Sequence, residues 1–162
     1  MTPKISTPHA KDLRKGRHSN NNQIYIITAV THQRQKVFSN LSLGRLVVHS
    51  LRFQHQQQKV NSLAFVIMPD HLHWLFALQN DSSLANVMQS IKGRSARQIE
   101  TIRRAQGSIS SKQPLWQKGY HDHALRKEED LQQTARYIVA NPLRAGIVEK
   151  IADYPLWDAI WL

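Results

Sequence analysis

The stretch Met68-Pro69-Asp70-His71-Leu72-His73-Trp74-Leu75-Phe76 decides how the rest of the chain is read. A Pro-Asp pair marks a turn, two histidines follow one residue apart, and the residues after them are apolar and β-forming. In a strand, side chains at i and i+2 share a face. His71, His73, Leu75 and Ala77 therefore fall on one face, and Leu72, Trp74, Phe76 and Leu78 on the other. Two neutral imidazoles side by side suit a shared metal ion. A surface strand that carries two histidines by chance has the same pattern, so the pair alone does not decide.

Working outward, Val60 to Met68 is nearly all apolar after Ser62, which predicts a strand buried on both faces. The tight Pro69-Asp70 connection makes it the antiparallel neighbour of the strand from His71 to Leu78. Upstream, Gln23 to Thr31 reads as a strand rich in β-branched residues. Leu43, Leu46, Val47 and Leu51 form a helical stripe from Leu41 to about Gln57, with Ser39 or Asn40 as its cap. Residues 1–22 carry scattered bases and no apolar period, which predicts a flexible basic arm ahead of one domain over 23–162.

Downstream, Asn80-Asp81-Ser82-Ser83 starts a helix whose stripe of Leu84, Val87, Met88, Ile91, Ile99 and Ile102 runs to roughly Arg104. Gly93 inside it costs about 1 kcal/mol relative to Ala, either for close approach of a backbone or as a tolerated defect. A Gly/Ser/Gln-rich connector over 106–113 leads to a short fourth strand from His121 to Arg126, with a second pair, His121 and His123. Glu128, Glu129 and Asp130 sit at the start of a helix that runs to about Asn141, where Pro142 is expected to bias Asn141 out of the α region. On that helix Asp130, Thr134, Tyr137 and Asn141 make a polar stripe. The tail from Ile151 to Leu162, with Tyr154, Trp157 and Trp161, is expected to fold back over apolar surface. The order β-α-β-β-α-β plus a further helix predicts an α+β fold with a ferredoxin-like antiparallel sheet. Its first and third strands are central, and one face is open above His71 and His73.

Composition narrows the function. The length of 162 residues suits one domain, and the absence of cysteine excludes disulfides, zinc-thiolate sites and thiol catalysis. No apolar run approaches ~18 residues, so no membrane span is expected. With no apolar leader either, the expected address is the cytoplasm. A formal charge of +11 points to a polyanion, with nucleic acid ahead of a membrane surface. Lys92, Arg94 and Arg97 are the candidate DNA contacts, supported by the arm.

The residues support a definite chemistry. A divalent cation on His71 and His73 acts as a Lewis acid on a phosphate oxygen, and a nearby tyrosine attacks the phosphorus. Tyrosine, with an ordinary pKa of about 10, needs help to lose its proton. Asn141, one turn from Tyr137, offers an amide oxygen suited to a hard cation. The bland alternatives are a tyrosine that packs its ring and wets its hydroxyl, and an asparagine that caps a helix.

Four segments taken together resemble a known family. They are Phe65-Val66-Ile67-Met68-Pro69-Asp70-His71-Leu72-His73-Trp74; Ser90-Ile91-Lys92-Gly93; Leu115-Trp116-Gln117 leading to Asp122-His123-Ala124-Leu125-Arg126; and Tyr137-Ile138-Val139-Ala140-Asn141-Pro142-Leu143-Arg144-Ala145-Gly146. In this order they resemble the Y1 tyrosine transposases of the IS200-like superfamily, in particular the REP-associated branch. The resemblance implies that His71 and His73 match the metal motif, Tyr137 the nucleophile, and Asn141 the position that completes the metal site. It implies cleavage of single-stranded DNA near hairpins with Mg2+ or Mn2+, a 5′-phosphotyrosine intermediate, and a monomer or a homodimer. It assigns no role to His121 or His123. Two other readings stay open: a hairpin DNA or RNA binding module without catalysis, and a metal-dependent phosphodiesterase in which water attacks.

Overall fold

The computed structural model describes residues 22–109, 113–126 and 129–161. All of the basic arm but Asn22, the connector residues 110–112, and Glu128 and Leu162 lie outside the described residues. The chain runs β1 (Ile24–Val30), α1 (Leu41–Gln56), β2 (Val60–Met68), β3 (His71–Leu78), α2 (Leu84–Ala105), β4 (His121–Ala124), α3 (Leu131–Val139), α4 (Asn141–Arg144) and β5 (Trp157–Ala159). The strands form one antiparallel sheet in the order β4-β1-β3-β2-β5. This is the ferredoxin-like order with β1 and β3 inside, extended by β5 along β2.

Local chemistry starts each helix. Asn40, rather than Ser39, caps α1 by accepting from the Ser42 and Leu43 amides, and Ser83 and Asp130 cap α2 and α3 in the same way. The Pro69-Asp70 turn joins Met68 to His71 and is tied down by bonds from the Phe38 amide to Pro69 O and from the Thr31 amide to Asp70 O, both 2.9 Å. Gly93 meets no backbone; a Cβ there would touch only the Arg97 side chain at 3.5 Å, so it is a tolerated defect.

One face of the sheet is buried throughout its centre and the other only in part. Leu72, Trp74 and Phe76 are fully buried on one, where α1 and α2 lie side by side and Gln54 Nε2 donates to Ser90 Oγ at 2.7 Å. On the other face α3 packs Ala135, Ile138 and Val139 over β2 and β3, which accounts for the buried Ala64, Val66 and Leu75. That double burial is why β2 reads as an almost unbroken apolar run.

Two expectations at the C-terminal end differ from the structure. Pro142 does not exclude Asn141 from helix: the chain loosens at Ala140 and resumes as α4, with Pro142 in its first turn, where a missing N–H costs little. The tail does more than cover apolar surface. It adds β5, which pairs Trp157 with Val66 and Ala159 with Ala64. Ahead of β5 the Ile67 amide donates to Leu156 O at 2.8 Å, and the Tyr154 hydroxyl donates to Ile67 O. Leu156 lies over Gly44, where an added Cβ would collide with its Cδ1. Among the described residues no helix is long and apolar enough to cross a membrane.

Burial pushes the Tyr154 phenol up to about 12. An unfolded tyrosine titrates near 10, so the stability held by this proton is complete below pH 10 and is lost as the pH rises from 10 to 12. Tyr154→Phe should lower stability at pH 8 by about 0.5–1.5 kcal/mol and lose less than the parent between pH 10 and 12. Urea unfolding across that range checks both; equal alkaline losses would contradict the assignment.

Candidate active site

The alternation of β3 sets His71 and His73 on one face, with ring centroids 4.8 Å apart and planes at 82°. Each ring has its Nδ1 engaged. His71 Nδ1 donates to Asp70 Oδ1 at 2.6 Å, and Arg34 Nη1 lies 3.4 Å from the other Asp70 oxygen. Partial burial raises the Asp70 carboxyl, but His71 and Arg34 outweigh it and hold it below the usual carboxylate range. His73 Nδ1 is 2.8 Å from Oγ1 of Thr28, its direct cross-strand partner on β1. Burial, then the charges of His71 and Arg144, pull the His73 pKa down to about 4. His73 is therefore neutral at pH 7. The carboxylate partner makes Nδ1 of His71 the donor and leaves its Nε2 lone pair open; in His73 the Thr28 contact engages Nδ1 and leaves Nε2 as the nitrogen not held by Thr28.

α3 supplies the next group. Its apolar residues turn to the sheet, and Tyr137, between them in sequence, points outward at 66 % exposure. The Arg144 guanidinium stacks on the Tyr137 ring, 3.8 Å from its centroid. Asn141 Nδ2 donates to Ile138 O at 2.8 Å, so Asn141 does cap the end of α3. That bond is made through Nδ2 and does not use Oδ1.

These groups converge. A cavity of about 260 Å3 is lined by Thr28, His73, His121, His123, Tyr137 and Asn141 among others. His71 stands next to His73, outside that lining. Among the described residues no three His, Cys, Asp or Glu side chains gather as a metal cluster. The donor set available to a cation is two imidazole nitrogens and one amide oxygen, a chemically sound set for a first-row divalent ion with open positions.

The basic residues of α2 do not line this cavity, and each has different surroundings. Lys92 Nζ donates to the Gln117 and Gly119 carbonyls, both at 2.7 Å, and so holds the segment before β4. Arg94 stacks on Phe53 at 4.2 Å. Arg97 is exposed.

Sequence reasoning missed three participants. Thr28 needed the β1–β3 register. Arg144 needed helix to continue past Pro142, which would have put it seven residues, or two turns, beyond Tyr137. Glu129 faces His123, whose Nε2 lies 3.1 and 3.3 Å from its carboxylate oxygens. The hydrogen bond from His123 holds the Glu129 carboxyl below its ordinary range; desolvation opposes it, and the Arg126 amide with the His123 and Arg126 charges adds to the lowering.

Comparison with known proteins gives the family and the fold. Residues 19–141 match the profile of the family described as "Transposase IS200 like", a span that includes His71, His73, Tyr137 and Asn141. A Haemophilus influenzae protein described as a REP-associated tyrosine transposase is 32 % identical over 98 residues, 58 % of this chain and 56 % of that protein. An Escherichia coli REP-associated tyrosine transposase is 27 % identical over 93 residues, 57 % of this chain and 50 % of that protein. The chain spans about half the length of the curated relatives it matches. The structure of a REP-associated tyrosine transposase bound to a REP hairpin superposes with a TM-score of 0.67, at 20 % identity, over 87 % of this chain and 79 % of the other. A transposase-type protein of Deinococcus radiodurans gives 0.53 at 22 % identity, over 77 % of this chain and 95 % of the other. At these identities the two solved structures establish the shared fold.

A His73 pKa near 4 has a readable consequence. An unfolded histidine titrates near 6.5, so the stability tied to neutral His73 is complete above pH 6.5 and is lost as pH falls toward 4. Side-chain NMR should show the His73 ring staying neutral until about pH 4. A midpoint at the unperturbed value would contradict the buried, doubly repelled imidazole described above.

Proposed function

The chain belongs to the IS200-like transposase family, and from that premise we propose that it is a metal-dependent enzyme that nicks and rejoins single-stranded DNA near hairpins, with Tyr137 as nucleophile. One observation carries the reading. His73, Tyr137 and Asn141, from β3, α3 and α4, open on a single cavity, with His71 beside His73.

A divalent cation held by Nε2 of His71 and His73 and by Oδ1 of Asn141 supplies, when bound, Lewis acidity toward a phosphate oxygen. Two imidazoles favour Mn2+ over Mg2+, which prefers oxygen. Tyr137 is open to an incoming strand, and Arg144 both holds its ring and brings positive charge to the approaching phosphate. The Tyr137 oxygen attacks phosphorus, a Tyr–O–P bond forms, the P–O3′ bond breaks, and a 3′-hydroxyl leaves. The resulting 5′-phosphotyrosine keeps the bond energy for a later rejoining.

The partner on this reading is single-stranded DNA with a hairpin, met in the cytoplasm. The formal charge of +11 supports a polyanion, and a structural relative bound to a REP hairpin supports that shape of ligand. Of Lys92, Arg94 and Arg97, we assign the phosphate contact to Arg97, because Lys92 is engaged with carbonyls and Arg94 with an aromatic ring.

Labelled single-stranded hairpins from the flanks of its own gene, mixed with the protein and Mn2+, should yield a slow band that survives denaturant. The band should vanish with chelator and in Tyr137→Phe. Tight native-gel binding with no such band would favour the binding module, and cut DNA without an adduct would make water the nucleophile. Arg97→Ala should reduce the slope of log affinity against log salt by about 1; an unchanged slope would remove Arg97 from the interface.

A further inference from the structure

We propose that His123, oriented by Glu129, is the general base that takes the proton from Tyr137. The inference rests on the reading of Tyr137 as nucleophile and extends it to a residue which that reading leaves without a role. β4 pairs His123 with Ile26 and His121 with Thr28, so both histidines lie on the sheet face that carries His73. His123 lines the same cavity as Tyr137 and Asn141.

The Glu129 contact fixes how the ring is used. An ionised carboxylate only accepts hydrogen bonds, so Nε2 of His123, 3.1 Å from Glu129 Oε1, carries the hydrogen. The neutral ring then has its lone pair on Nδ1, ready to accept a proton. A nucleophile, a base and a carboxylate that orients the base form the usual arrangement for activating a weak nucleophile. Glu129 also directly precedes Asp130, the N-cap of α3. The short stretch that orients the base therefore also starts the helix that carries the nucleophile.

The other imidazoles of the first pair are not available for this task. His71 and His73 each have Nδ1 engaged by Asp70 or Thr28, and Nε2 is assigned to the cation. The step balances with water as the one further participant. The Tyr137 phenol proton passes to His123 Nδ1 as the Tyr–O–P bond forms and the P–O3′ bond breaks. The imidazolium then releases that proton to solvent, and the departing 3′ oxygen, on the far side of phosphorus, takes one from water.

The test is the rate of denaturant-resistant adduct formation by the full chain with the same labelled hairpin and Mn2+. His123→Ala should slow it by about 10²–10⁴-fold, the usual contribution of a general base, and should leave native-gel hairpin binding and Mn2+ affinity unchanged. Added imidazole should restore part of the rate, which it would not do for a residue that only supports the fold. Glu129→Gln, a change at a half-exposed side chain, should slow the reaction less. A wild-type rate in His123→Ala, a loss that imidazole does not restore, or a loss in His121→Ala with none in His123→Ala would each overturn the assignment. Absence of adduct in the unsubstituted protein would instead refute Tyr137 as nucleophile, and the base with it.

Discussion

The site depends on the register of β3. Leu72, Trp74 and Phe76 are fully buried against the two long helices, and the strand lies between β1 and β2. A slip of one residue would put His71 and His73 into that core and expose Trp74. Burying two imidazoles without partners while exposing three large apolar side chains is far costlier than any local adjustment. Hydrophobic burial on one face therefore fixes the position of the polar pair on the other. The same register brings Thr28 opposite His73 and Val66 on its other side.

α3 solves a second problem with one short element. Its apolar side seals Ala64, Val66 and Leu75, which would otherwise face water. Its outward positions are then free for Tyr137. The break at Ala140 lets Asn141 bond back to Ile138 O with its amide nitrogen, a bond that does not use its oxygen. Each polar group has an orienting neighbour: Asp70 and Thr28 for the imidazoles, Arg144 for the phenol ring, Glu129 for His123. Orienting partners of this kind fix ring orientation and reduce the reorganisation needed when substrate binds.

What was legible in the sequence was local. β2 and β3 fall at the residues the apolar run, the Pro-Asp turn and the two-residue alternation mark, and α1 and α2 follow their stripes to within a residue or so. The ferredoxin-like order put His71 and His73 on an open mid-sheet face, and the link from them to Tyr137 and Asn141 came from the resemblance of the four segments to the family. What stayed hidden was non-local or weakly patterned. β5 has three residues, too few for a period, and is held by pairing to a strand about 90 residues earlier. Lys92, read as a phosphate contact from charge alone, is bound to backbone carbonyls 25 and 27 residues away. Charge in a sequence says where a cation is, and only the fold says what it is already holding.

The central claim is that one strand face and one helix end form a single metal-assisted site for tyrosine attack. Anomalous scattering from crystals grown with Mn2+ tests it most directly. The account predicts one strong peak bridged by His71 Nε2, His73 Nε2 and Asn141 Oδ1, on the side of the sheet where Tyr137 stands. No peak there, or a peak held instead by His121 and His123, would contradict it.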